Sequence, residues 1–129
     1  MQEARKQIND FVSILETDAA QKEVKEAGKA LVKKIAEWDE KVVQRKAESN
    51  DDIINFVNKL SADFIFLKGE LDTNVPNVTQ GAIDQLSKLE ALWQPLKSEY
   101  ADLTSKEIVS FNNLCKTRGL EKITLSTKE

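Results

Sequence analysis

The stretch Val24-Lys25-Glu26-Ala27-Gly28-Lys29-Ala30-Leu31-Val32-Lys33-Lys34-Ile35-Ala36-Glu37-Trp38-Asp39-Glu40-Lys41-Val42 decides the fold. Val24, Gly28, Leu31, Ile35, Trp38 and Val42 recur by alternating steps of four and three, while Lys and Glu fill most of the remaining positions. That period describes a helix lying nearly parallel to a neighbour; a half-buried strand would alternate by two. Gly28 costs a helix about 1 kcal/mol relative to alanine. Its place on the seam beside Ala27 therefore predicts the close approach of another backbone.

The same pattern continues in both directions. Upstream, Ile8, Phe11, Val12 and Leu15 follow the i, i+3, i+4, i+7 spacing of an amphipathic helix. This helix starts almost at Met1 without a capping residue, an arrangement expected of a piece of a longer chain. Asp18 and Gln21 have the spacing of a capping box for the second helix. Downstream, Ser49 or Asn50 can cap a third helix with the seam Ile53, Val57, Leu60, Phe64, Leu67 and Leu71. Ile54, Phe56 and Ile65 widen its apolar face, which predicts the most buried helix of the set. Gly69 falls near its end, and Asp72 to Val78, with Pro76, reads as a loop.

Thr79 caps a fourth helix whose seam is Ile83, Leu86, Leu89, Trp93, Leu96, Tyr100 and Leu103. The pattern stays in phase across Pro95, so a kink is expected there and not a chain reversal. After Leu103 the phase slips to Ile108, Phe111, Leu114 and Cys115. Thr104 and Glu107 have capping-box spacing, which predicts a bend or short break near Thr104. Gly119 suits a helix C-terminus with Leu120 placed for the accompanying apolar contact. The tail Leu120, Ile123, Leu125 reads as extended and docked along a groove. Together these elements predict one all-α domain over residues 1–129. Its helices are about 14, 25, 20 and 38 residues long. Short connections favour an antiparallel up-down-up-down four-helix bundle, with a kinked or divided last helix and a short extended C-terminal tail.

Composition removes whole classes of chemistry. The chain has 129 residues, a formal net charge of −3, one cysteine and no histidine. Without histidine, the usual base of serine and cysteine nucleophiles is missing, as are histidine ligands for zinc, di-iron or haem. A lone Cys115 cannot build a four-thiolate zinc site or a disulfide within the chain. Gly28, Gly69, Gly81 and Gly119 are too far apart for a phosphate loop. There is no basic stripe for nucleic acid or an anionic membrane face. No motif calls for a cofactor or a small-molecule substrate.

Paired carboxylates are the remaining catalytic option, and a glycosidase would need two of them in one concave pocket. Asp51-Asp52 reads instead as an acidic helix N-terminus. Glu37, Asp39 and Glu40 read as a solvated face, with Glu37 and Lys41 in the favourable i,i+4 order. Trp38, Trp93 and Cys115 fall at core positions. Asn77-Val78-Thr79 has the form of a glycosylation acceptor, a match too short to be specific. Asn55 and Asn58, flanking Phe56 and Val57, either satisfy backbone groups at a helix irregularity or contact a partner domain.

Five strings in order carry a resemblance: Trp38-Asp39-Glu40-Lys41-Val42-Val43-Gln44, Ile54-Asn55-Phe56-Val57-Asn58-Lys59-Leu60, Val78-Thr79-Gln80-Gly81, Phe111-Asn112-Asn113-Leu114 and Gly119-Leu120-Glu121-Lys122-Ile123. Across residues 30–125 the sequence resembles the C-terminal helical region of large bacterial proteins with sortilin-like BNR-repeat β-propellers, often labelled glycosyl hydrolases. The family often has proline where Val57 stands, and the unbroken seam here argues for a continuous helix. The resemblance implies an exported, periplasmic or secreted parent, with any hydrolytic chemistry in a propeller outside this chain. It implies no catalytic residue here. The expected role is therefore a non-catalytic accessory domain that packs against or spaces that propeller. The alternative is an independent adaptor holding a partner helix or peptide in an apolar groove.

Overall fold

The computed structural model describes residues 1–15, 21–44, 59–73 and 77–120. Every regular element among them is helical: α1 (Gln2–Ile14), α2 (Lys22–Val42), α3 (Leu60–Thr73), α4 (Gln80–Asp102) and α5 (Ile108–Thr117), with a π-helical turn, Leu103–Glu107, joining the last two. The expected all-α, four-helix arrangement is the one found, and its last helix is a joined, kinked piece. The chain gathers into two compact units, Met1–Glu37 with Tyr100–Glu129, and Trp38–Glu99. Asp18, Ser49, Asn50, Asp51-Asp52, Ile53, Ile54, Asn55, Phe56, Val57, Asn58 and the tail beyond Leu120 lie outside the described residues.

The core of the first unit is built from the seams read in the sequence. Ala4, Ile8, Val12 and Leu15 of the first helical segment meet Val24, Leu31 and Ile35 of α2 and Ile108, Phe111 and Cys115 of α5. Phe11 and Phe111 meet edge to face, with ring centroids 6.3 Å apart, the geometry that the ring quadrupole favours. At Gly28 an added Cβ would fall 2.5 Å from Val12 Cγ2, 3.3 Å from Cε2 of Phe111 and 3.5 Å from Ile8 Cγ2. Close approach is thus real, but side chains make it, not another backbone.

A pair of substitutions with opposite signs follows. Gly69 sits inside α3, exposed, with nothing within 4 Å of a built Cβ. Gly69→Ala is expected to stabilise the fold by about 0.5–1 kcal/mol through helix propensity alone. At Gly28 the same gain is overridden, because the stiff β-branched Val12 must move in a packed core. Gly28→Ala is expected to destabilise by about 1–2 kcal/mol. Urea midpoints of the two variants, displaced in opposite directions from the parent, check both.

Two helix ends follow their sequence signals. The Ala82 N–H donates to Thr79 Oγ1 at 3.2 Å, capping α4 as read. At the end of α5 Gly119 has φ +71. The Leu120 N–H donates to the Cys115 carbonyl at 2.9 Å and the Gly119 N–H to that of Lys116 at 3.1 Å. These are the two bonds of a Schellman motif, and Leu120 packs against the first core as its apolar partner.

Other expectations are corrected. Thr104 does not cap a new helix: the chain stays helical, and the Ile108 N–H reaches back five residues to the Leu103 carbonyl. The Thr104 hydroxyl donates to the carbonyls of Tyr100 and Ala101, both at 3.0 Å, and Ser105 Oγ donates to Ala101 O at 2.6 Å. The slip in phase is absorbed by one wide turn in place of a break. Gln21 Oε1, which a capping box would engage, is buried without a hydrogen-bond partner. Glu37 pairs with Lys33 and not with Lys41, which bonds Glu99 at 2.7 Å. Asp39 is no part of a solvated face, at 5% exposure.

Over its described residues the third helix is not the most buried. Among its described residues only Leu60 and Leu67 are buried, and Ile65 is 72% exposed. In α4, Ile83, Leu86 and Tyr100, read as seam residues, are exposed, leaving Leu89 buried. Among the described residues of the second unit, Leu60, Leu67 and Leu89 form a core flanked by Phe64, Leu71, Ala82, Trp93 and Leu96.

Candidate interaction surfaces

The two tryptophans meet within the second unit, where the sequence placed both in a core. Trp38 is buried and Trp93 half-buried, with ring centroids 6.5 Å apart and planes tilted by 58°. The Trp38 Nε1–H donates to the Leu96 carbonyl at 2.8 Å. That bond satisfies the indole's single donor inside the protein and fixes the ring orientation. Pro95 precedes this carbonyl within α4, where its ring removes the N–H that would have bonded Ala91.

Beside the pair lies a pocket of about 380 Å³ lined by Val42, Leu60, Ser61, Phe64, Glu90 and Trp93. At the other end of the α3–α4 pair, Phe66, Leu67, Glu70, Thr79, Gly81, Ala82 and Gln85 line a hollow of about 460 Å³. Early α3 thus faces late α4, and late α3 faces early α4, the arrangement of an antiparallel pair. Several apolar residues of the pair are left to solvent: Ile65 and Phe66 on α3, and Ile83, Leu86 and Leu92 on α4. Single exposed apolar residues are ordinary on a soluble protein, but five on one helix pair are more than scatter explains.

In the first unit a groove of about 300 Å³ runs between α2 and α5. Ala27, Ala30, Leu31, Ser110, Phe111 and Leu114 line it, together with Lys34 and Glu107. Lys34 Nζ donates to Glu107 Oε1 at 2.8 Å, and Glu23 pairs with Arg118. Small side chains at Ala27, Ala30 and Ser110 leave the trough open over the larger rings.

Hydrolysis by paired carboxylates requires two acidic groups in one pocket. Among the described residues each concavity holds one: Glu107 in the groove, Glu90 beside the tryptophans, Glu70 at the far end of α3. Among the described residues no cluster of three acidic or thiol side chains could hold a metal ion. Cys115 is fully buried, and loss of solvent pushes its thiol above the usual range. It packs as a small apolar group, as its seam position predicted. No helix among the described residues is long and apolar enough to cross a membrane.

Asn55 and Asn58, the residues singled out for partner contact, lie outside the described residues. Spacing alone does not reveal these surfaces: it assigns Ile65 to an apolar helix face and gives Phe66 no role. No family model matches the chain, and no curated protein or solved structure matches it.

Proposed function

We propose that this chain is a non-catalytic helical accessory module that packs against another protein surface. Following the sequence resemblance, that surface is a β-propeller of the same exported bacterial protein. The observation that carries the reading is the apolar dressing of α3 and α4. Ile65 and Phe66, each 72% exposed, and Leu92, 59% exposed, remain in water. Such a surface is favourable to cover, at about 25 cal/mol per Å² of apolar area.

The test compares the chain alone with the chain joined to its flanking coding sequence. In the joined protein its unfolding is expected to shift to higher temperature and to coincide with that of the neighbour. The double substitution Ile65→Asp and Phe66→Asp separates the two transitions while leaving the isolated chain's Tm within a few degrees. Independent transitions in the joined protein, or a gene with no repeat-rich β region beside this chain, would overturn the reading.

One observation favours the adaptor alternative. The α2–α5 groove, floored by Leu31 and Phe111 and bordered by small side chains, has the form that receives an apolar helix face. A partner held there would protect Ala27, Ala30 and Ser110, and not α3, from hydrogen exchange.

A further inference from the structure

We propose that the pocket at Phe64, Glu90 and Trp93 receives an arginine side chain of the surface this chain packs against, an inference that rests on the accessory-module reading. Its walls are aromatic and aliphatic: Phe64 and Trp93, with Val42 and Leu60 behind them. Aromatic faces carry the negative part of a quadrupole and attract a cation within about 6 Å, tryptophan most strongly. Glu90 lies three residues before Trp93 on the same side of α4 and lines the same pocket. Among the described residues no Lys or Arg pairs with it, and Lys41 of α2 is bonded to Glu99.

Charge complementarity selects the occupant. A neutral apolar side chain would fill the walls but strip water from the Glu90 carboxylate without replacing it. A guanidinium does both jobs, since its plane stacks on an indole while its edge donates to a carboxylate. It is also more weakly hydrated than an ammonium. The Ser61 hydroxyl supplies one further acceptor at the rim. The site is also set before anything binds. Trp93 packs on Trp38, and Trp38 is tied to the Leu96 carbonyl at 2.8 Å. Little side-chain ordering remains to oppose association.

The experiment titrates the isotope-labelled chain with N-acetyl-arginine amide and, separately, with N-acetyl-norleucine amide, following the Trp93 indole N–H signal. A saturable shift with the arginine probe, much weaker with norleucine, is expected. Glu90→Gln should weaken arginine binding by about tenfold. Glu90 is exposed, so the variant keeps its fold, checked by an unchanged Tm. Equal binding of the two probes, no saturable shift with arginine, or full binding by Glu90→Gln overturns the proposal. The two readings fail separately. Uncoupled unfolding with the arginine shift intact removes the packing role and leaves a cation pocket. Coupled unfolding with an inert Glu90 removes the pocket alone.

Discussion

Truncating Phe111 to alanine is expected to destabilise the chain by about 3–5 kcal/mol. Phe111 is 4% exposed, stands edge to face against Phe11 and lies against the open flank of Gly28. The absence of a Cβ at Gly28 makes room for that ring and for Val12. Neither Gly28 nor the small residues Ala27 and Ala30 can move in to fill what the ring vacates, so the cavity persists and its cost is added to the lost transfer energy. Phe111→Leu keeps most of the volume and is expected to cost less than about 1.5 kcal/mol. Denaturant unfolding followed by tryptophan fluorescence and by circular dichroism reads both variants. A loss below about 1 kcal/mol for alanine would mean that the first core does not depend on this ring.

The sequence carried the first unit almost whole. The steps of four and three through α2 name Val24, Leu31 and Ile35, all of which are buried there. The α1 positions Ile8, Val12 and Leu15 follow the same rule. Periodicity works there because each seam faces one compact core from a helix with a polar back. It fails on α3 and α4, whose apolar residues are spread around more than one face. Nothing in a spacing rule says which of Leu67 and Phe66 turns inward; the answer lies in what the partner helix offers. Leu67 packs with Leu89 and Ala82, while Phe66, beside the same hollow, is left 72% exposed. The exposed apolar residues were illegible for the same reason. A seam position names residues that want burial, and spacing does not say which of them find it.

The phase slip after Leu103 had a meaning that spacing alone did not distinguish. The buried Leu103 and Ile108 stand five positions apart, and a break, a bend or a wide turn would each accommodate that spacing. What decides among them is whether backbone carbonyls can be served without interrupting the helix. Here the hydroxyls of Thr104 and Ser105 turn back onto Tyr100 and Ala101, and the ladder resumes at Ile108. The residues that look like a cap in one dimension therefore act as donors inside a continuous rod.

The turn holds one residue more than a regular helix needs, so deleting Ser105 is expected to be tolerated. Leu103 and Ile108 then stand four apart, the π turn relaxes to α-helical geometry, and the seam runs on through Phe111 and Cys115 without rotation. The only bond lost with the side chain is the one to the Ala101 carbonyl, which the regular ladder can serve. Stability should change by less than about 1 kcal/mol. Deleting Lys33 from α2 is expected to do the opposite, although that side chain is equally exposed and makes only a long pair with Glu37. No wide turn lies in α2 to absorb the missing residue, so Ile35 and everything after it rotate by about 100° relative to Val24 and Leu31. Ile35 and Trp38 leave the faces on which they are buried, and the cost should exceed about 4 kcal/mol. Thermal unfolding of the two single-residue deletions separates the cases directly. If both unfold alike, the extra residue at Leu103–Glu107 is held by something other than helix phase.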